Sequence, residues 1–241
     1  METYKVLYYN GMPKFICGNG LMGALKVIRP LNLISLLKVI FSYMFSKRYT
    51  VNQVVDLCEK HLEGKFKLKE FHALVLGSEI DYKKITILNS RVVTKIMNFR
   101  SNKLAVDYQE KFDFKYQYVK NNLESSFENV ITEKVINTKL DGDYFYIESE
   151  FRNDISFSWL KAIKLIPKFI LSLKSLNGTI YTLHDFKLHN ISFVGDKIFL
   201  YDMESLGEGN WTQSSNHFIK NLKYYSKYSF WSLLLYIKLR D

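Results

Sequence analysis

The chain has 241 residues, 47% of them apolar and 16% aromatic, which is enough material for one sizeable domain or two small lobes with a core. Two cysteines, Cys17 and Cys58, exclude a disulfide framework and a cysteine metal cluster and make a reducing cytoplasm the expected compartment, while three prolines and no Ser/Gly-rich tract exclude a long disordered linker. The balance of 34 basic against 24 acidic side chains, a net +10, calls for an anionic partner but does not choose among nucleotide, nucleic acid and membrane surface.

In chain order, residues 4–9 (YKVLYY) and 14–17 (KFIC) read as two strands about an Asn10-Gly11 turn, the Asn-Gly pair being a strong hairpin signal. Gly18-Asn19-Gly20-Leu21-Met22-Gly23 matches G-x-G-x-x-G after a candidate strand. No acidic residue lies about twenty positions further on and no βαβ unit follows, so the motif is not read as a phosphate loop. Residues 31–46 (LNLISLLKVIFSYMFS) carry one charge, Lys38, and lie between Pro30 and Lys47-Arg48. The run is shorter than the roughly 18 residues of a membrane span and starts too late for a signal peptide. It is expected as a buried helix, with a helix lying in a membrane interface as the alternative. Residues 50–62 (TVNQVVDLCEKHL) form an amphipathic helix capped by Thr50, with Val51, Val54, Val55, Cys58 and Leu62 on one face. Residues 1–64 are expected as an N-terminal extension built around the apolar helix.

From about residue 65 the texture turns to strands, at 71–76, 85–88 and 91–97 (RVVTKIM), with Asn89-Ser90 as the turn between the last two. Alternation puts Val93, Lys95 and Met97 on one face. A lysine aimed with its apolar neighbours is either solvated on a half-exposed edge strand, or is the strand lysine that pairs with nucleotide phosphates and a helix glutamate. A helix over residues 107–123 follows, with Tyr108, Phe112, Tyr116 and Val119 as its inner stripe. It carries Glu110, which fits the usual distance from Lys95 better than the later Glu124 does. Residues 134–139 and 143–148 form a hairpin about Asp141-Gly142, and a polar stretch (Glu150, Arg152, Asn153, Asp154) leads into a helix over 158–176, broken or kinked at Pro167.

Residues 181–205 (YTLHDFKLHNISFVGDKIFLYDMES) hold the order of parts that phosphoryl transfer needs. His184-Asp185 supplies an aspartate to orient the attacking hydroxyl, Asn190 follows five positions later to hold a metal, and Asp202 ends a strand where it can hold the metal that bridges the phosphates. A hairpin about Gly195-Asp196 presents Asn190 and Asp202 at the same end. Asp and Asn are also ordinary turn residues; Lys95 upstream favours the chemical reading. Near the C-terminus Lys220, Lys223, Lys227, Lys238 and Arg240 interleave with Tyr224, Tyr225, Tyr228, Phe230, Trp231 and Tyr236. On a helix from about residue 229, Phe230, Leu233, Leu234 and Ile237 share one face, which either packs on the catalytic lobe or seats at a membrane interface.

With Lys95, Glu110, His184, Asp185, Asn190 and Asp202 in order, the chain from about residue 65 resembles the kinase-like superfamily and, within it, the bacterial lipopolysaccharide core heptose kinases. The likeness lies in RVVTKIM, in HDFKLHNISFVGDKIFLYD and in the tail KYYSKYSFWSLLLYIKLR. It implies an α+β, two-lobed protein-kinase-like fold, with a small antiparallel-sheet N-lobe over residues 65–150 and a mostly helical C-lobe over 151–241 that carries the catalytic hairpin. It implies transfer of the ATP γ-phosphate to a sugar hydroxyl, a heptose of the lipopolysaccharide core. Asp185 and Lys187 would be catalytic, Lys95 would bind the phosphates with Glu110 as its partner, and Asn190 and Asp202 would hold Mg2+. The implied partners are the core oligosaccharide as acceptor and the anionic inner-membrane surface. The implied location is cytoplasmic, peripheral on the inner face of the inner membrane. Two departures stand out: no glycine-rich loop lies between residues 65 and 94, where Gly77-Ser78 is the sole candidate, and Asp202 is followed by Met203-Glu204 instead of Phe-Gly. They leave a kinase-like binding protein without turnover, a pseudokinase, as the alternative. The +10 charge and seventeen tyrosines also raise a nucleic-acid-binding protein. The aromatics mostly alternate as core residues and no nucleic-acid motif appears, so no nucleic acid is expected.

Overall fold

The computed structural model describes residues 3–9, 12–18, 20–28, 33–66, 71–79, 81–176, 179–227 and 229–240. In chain order the elements are β1 (Thr3–Tyr9), β2 (Met12–Cys17), α1 (Gly20–Ile28), α2 (Leu33–Phe45), β3 (Arg48–Thr50), α3 (Val51–Leu62), β4 (Ala73–Ser78), β5 (Tyr82–Leu88), β6 (Val92–Phe99) and α4 (Asn102–Ser126). They continue with β7 (Val130–Thr132), β8 (Val135–Asp141), β9 (Tyr144–Glu150), α5 (Trp159–Lys174), β10 (Tyr181–Leu183), β11 (Ile191–Val194), β12 (Lys197–Leu200), β13 (Leu206–Glu208), α6 (Trp211–Ser226) and α7 (Phe230–Arg240). The fold is mixed α+β, an antiparallel sheet early in the chain and helices late. The chain forms two compact units, the first of residues 1–109 and 134–151, the second of 110–133 and 152–241.

The first unit is built on an antiparallel sheet in the order β3-β1-β2-β4-β5-β6-β9-β8. Local chemistry sets its turns. The Asn89 carboxamide oxygen accepts from the Arg91 and Val92 amides at 2.9 and 2.7 Å, closing the β5–β6 hairpin as Asx turns do. Gly142, at φ 62, turns β8 into β9. The Asn10-Gly11 turn expected between β1 and β2 lies outside the described residues. Thr50 caps α3 with a full capping box to Gln53, and α3 buries Val54, Cys58 and Leu62 against Val6, Ile16, Leu74, Leu76 and Ile85.

This arrangement corrects the expected boundary at residue 64. β2 pairs with β4 through Phe15↔Val75, Ile16↔Leu74 and Cys17↔Ala73, so β1, β2 and β3 extend the same sheet. The reason is the free edge of β4, which needs a strand to satisfy its amides and carbonyls. Gly20 (φ +70) opens α1 after β2, and the next strand, β3, pairs antiparallel with β1 and not with β2. The expectation of a buried helix over 31–46 also differs from what is seen. α2 packs on α1 and β1 and buries Val39, yet exposes Ile34, Leu37, Phe41, Met44 and Phe45.

In the second unit α5, α6 and α7 pack together, accompanied by the sheet β11-β12-β7 and the pair β10-β13. α5 runs unbroken from Trp159 to Lys174 through a buried Pro167, so the expected break is absent. Ala162, Ile166, Phe169, Ile170 and Leu173 are buried on the same helix, and their packing outweighs the one backbone bond a proline removes. Phe169, Phe186 and Phe218 follow one another at ring distances of 6.2 and 5.1 Å, tying α5, the residue after Asp185, and α6 into one core. α7 turns a different side inward from the one its sequence suggests: Ser232, Leu235 and Leu239 are buried while Phe230, Leu233 and Ile237 are exposed. Among the described residues no helix is long and apolar enough to cross a membrane.

Candidate functional site

The constellation at residues 184–205 forms within the second unit. β10 delivers His184 and Asp185 to the surface, and the chain there is bonded to the segment after β12. The His184 amide donates to the Ser205 carbonyl at 2.8 Å, and the Asp185 amide donates to Ser205 Oγ at 3.2 Å. His184 Nε2 lies 2.9 Å from the Glu208 carbonyl oxygen. Its ring covers Gly207, where an added Cβ would fall 2.1 Å from a ring carbon, so this position requires glycine.

Between β10 and β11 the chain makes a 3-10 turn, Leu188–Asn190; Leu188 and, before the turn, Phe186 are buried. Asn190 is buried and its Nδ2 donates to the Asp185 carbonyl at 2.9 Å, which pins the aspartate's own backbone. With the amide nitrogen so used, Oδ1 is the group that Asn190 has to offer a ligand. Lys187 Nζ donates to Asp185 Oδ2, closing a half-exposed ion pair. β11 and β12 pair from Ile191↔Leu200 to Val194↔Lys197 about Gly195, and the Tyr201 amide donates to the Asn190 carbonyl at 3.2 Å. Asn190 and Tyr201-Asp202 therefore leave the hairpin at one end, as the spacing predicts.

Asp202 has φ 64, the left-handed region that a non-glycine residue enters at a cost of about 1–3 kcal/mol. A residue absent from the sequence reading holds it there. The carboxylate of Glu133 accepts from the Asp202 amide at 3.2 Å and the Met203 amide at 2.9 Å, and the Glu133 amide donates to the Leu200 carbonyl at 2.7 Å. Glu133 is buried, and the Tyr116 hydroxyl donates to its carbonyl at 2.7 Å. Two successive backbone N–H groups on one carboxylate make a nest, which fixes the direction in which the Asp202 side chain leaves the chain. The only sequence signal for this role is a lone acid amid the apolar run VITEKVI. Its partner lies 69 residues away, where spacing rules do not reach.

Lys95 belongs to the first unit. It sits on β6 between β5 and β9, opposite Thr86 and Ile147, and is 3% exposed. The edge-strand reading of this lysine is thereby set aside, since β6 is interior to the sheet. Glu110 lies on an exposed turn of α4, in the second unit. Glu124 is engaged locally, its Oε1 accepting from the Thr132 hydroxyl at 2.6 Å and amide at 3.1 Å. Gly77 is paired within β4 to Lys84, so it is not an open phosphate loop. Where the chain passes into the second unit, Arg152 grips Asp154 with two bonds of 2.9 and 2.6 Å, and this guanidinium holds the Asp154 carboxyl below its usual range.

Among the described residues no cluster of three or more His, Cys, Asp and Glu is arranged to hold a metal by itself. Asp202 and Asn190 offer a carboxylate and an amide oxygen at one end of one hairpin. That oxygen donor set suits Mg2+, which takes one or two protein oxygens and completes its shell with phosphate and water.

No protein-family model and no curated protein matches the chain. Among solved structures it is similar to an amicoumacin kinase, hAmiN, in complex with AMP-PNP, Ca2+ and Ami, at 7% identity and a TM-score of 0.42, over 79% of this chain and 77% of that one. A likeness at that level has no bearing on chemistry or residues.

Proposed function

We propose that the chain is an ATP-dependent phosphotransferase that phosphorylates a sugar hydroxyl, a heptose of lipopolysaccharide core. The observation that carries this is the hairpin end at which Asn190 and a left-handed Asp202 emerge, bonded through Ser205 and the Asn190 carboxamide to Asp185. Asp185 receives the proton of the attacking sugar hydroxyl as its oxygen bonds to the γ-phosphorus and the bond to the β-phosphate oxygen breaks; positioned acid-base groups of this kind contribute about 10² to 10⁴ in rate. Lys187 steadies the carboxylate. Asn190 and Asp202 would hold Mg2+, which would neutralise charge on the phosphate oxygens. Glu133 positions Asp202 and touches no reacting atom. The acceptor is drawn from the resemblance of the catalytic stretch and tail to heptose kinases, and the exposed Phe230, Leu233 and Ile237 beside Lys238 support a peripheral membrane location.

Radiolabelled ATP offered with truncated core lipopolysaccharides tests this. Asp202→Ala is expected to abolish Mg2+-ATP binding, and Asp185→Ala to keep binding but lose transfer by about 10² or more. If both variants bind Mg2+-ATP like the parent, the role of Asp202 is wrong. A second reading, a kinase-like binder without turnover, is favoured by Gly77 being held inside β4. Its outcome is nucleotide-dependent thermal stabilisation with no labelled product from any core sugar.

A further inference from the structure

Among the described residues, α2 leaves one apolar face exposed. Ile34, Leu37, Phe41, Met44 and Phe45 recur at helical spacing, and Phe41 and Phe45 are 55% and 80% exposed, with their rings stacked 6.5 Å apart. Single exposed apolar residues are normal on a protein surface, but a contiguous row of large ones marks an interaction face. The opposite side of α2 is anchored: Val39 is buried, Lys5 Nζ donates to the Tyr43 carbonyl at 2.6 Å, and the same ammonium stands 4.5 Å over the Tyr43 ring. The exposed row is thus held outward by the fold.

Charge decides what covers it. From residue 3 to residue 55 the sequence contains Lys5, Lys14, Lys26, Arg29, Lys38, Lys47 and Arg48 and no Asp or Glu, so most of the chain's net charge of +10 lies in this stretch. Lys38 is exposed on the row itself, and Lys47 and Arg48 are exposed just past its end. A second copy of the chain meeting this face about a two-fold axis would set these cations against their own kind. Thirteen residues make a helix about 20 Å long, shorter than a bilayer's hydrocarbon core of about 30 Å, so α2 lies on a membrane and does not cross it.

We propose that α2 is a membrane-docking helix, which seats Ile34, Leu37, Phe41, Met44 and Phe45 at the acyl boundary of an anionic bilayer while Lys38, Lys47 and Arg48 meet lipid phosphates. It is independent of phosphate transfer, and its test uses no nucleotide, so failure of the phosphotransferase reading leaves it standing. The test is co-sedimentation of the full chain with vesicles of phosphatidylcholine alone and of phosphatidylcholine mixed with phosphatidylglycerol. The parent is expected to bind the mixed vesicles only, and less as salt rises. Phe41→Ser with Phe45→Ser weakens binding at least about tenfold without lowering the melting temperature, and each of Lys38→Gln, Lys47→Gln and Arg48→Gln weakens it about fivefold at low salt. A Phe45→Cys variant carrying an environment-sensitive fluorophore gives a second reading, since the native thiols are buried, and its emission should rise and shift to the blue on mixed vesicles. The proposal is overturned if the parent ignores mixed vesicles, if the double serine variant binds like the parent, or if the probe at 45 stays in water while the protein sediments. It is equally overturned if α2 variants abolish a concentration-dependent dimer of a parent that shows no vesicle binding.

Discussion

α2 (LISLLKVIFSYMF) and α5 (WLKAIKLIPKFILSLK) are two apolar helices with lysines, yet one exposes a row of five large side chains and the other buries a full face. In α5 the cations Lys161, Lys164 and Lys168 mark an outer side, and residues 162, 166, 169, 170 and 173 fall on the other. In α2 the lone charge marks no side, because apolar residues occur all round. Hydrophobic burial stabilises only where a neighbour removes the side chain from water. An amphipathic pattern therefore predicts which face is covered, and a uniformly apolar one predicts only that some face will be.

Substitutions can break this contrast. Ile170→Ala on α5, where the side chain is fully buried, is expected to cost about 2–5 kcal/mol in urea unfolding. A loss below about 1 kcal/mol would mean that the α5 face is as loosely covered as that of α2. Next comes α3, the helix beside α2 in sequence. Burial pushes the Cys58 thiol up to about 12, from an ordinary 9.0. The native chain therefore keeps the thiol protonated where the unfolded chain releases the proton. This share of stability is whole below about pH 9 and declines as pH rises from there toward 12. An aromatic disulfide reagent at pH 8 should accordingly label the native protein far more slowly than the urea-unfolded chain. Rapid labelling of the native protein would show α3 to be as open as α2. The smallest effect belongs to Phe41→Ala, expected to change stability by no more than about 0.5 kcal/mol, because its ring already stands in water. A loss of 2 kcal/mol or more would show that the α2 face is covered after all.

Much of the site was legible in the chain because its bonds are local. Asp185 to Asn190 spans five residues, the β11–β12 hairpin turns on Gly195-Asp196, and both follow from turn chemistry and strand alternation. Glu133 was not legible, since its bonds to the amides of Asp202 and Met203 join segments 69 and 70 residues apart and depend on β7 lying beside β12. The inward side of α7 was likewise hidden: Phe230, Leu233 and Ile237 form the more apolar row, yet contact with α5 and α6 turned Ser232, Leu235 and Leu239 in.

The sequence alone determined the hairpins about residues 89–90, 141–142 and 195–196, the cap of α3 and the spacing of Asp185, Asn190 and Asp202, all of which are set by interactions within a few residues. Tertiary structure alone decided that β1, β2 and β3 extend the sheet of the first unit, that Lys95 is interior to it, that Asp202 is held left-handed by a distant carboxylate, and that α2 keeps its apolar row uncovered. Strand edges and apolar faces can be satisfied by any partner of the right shape, and which partner arrives depends on the whole chain at once.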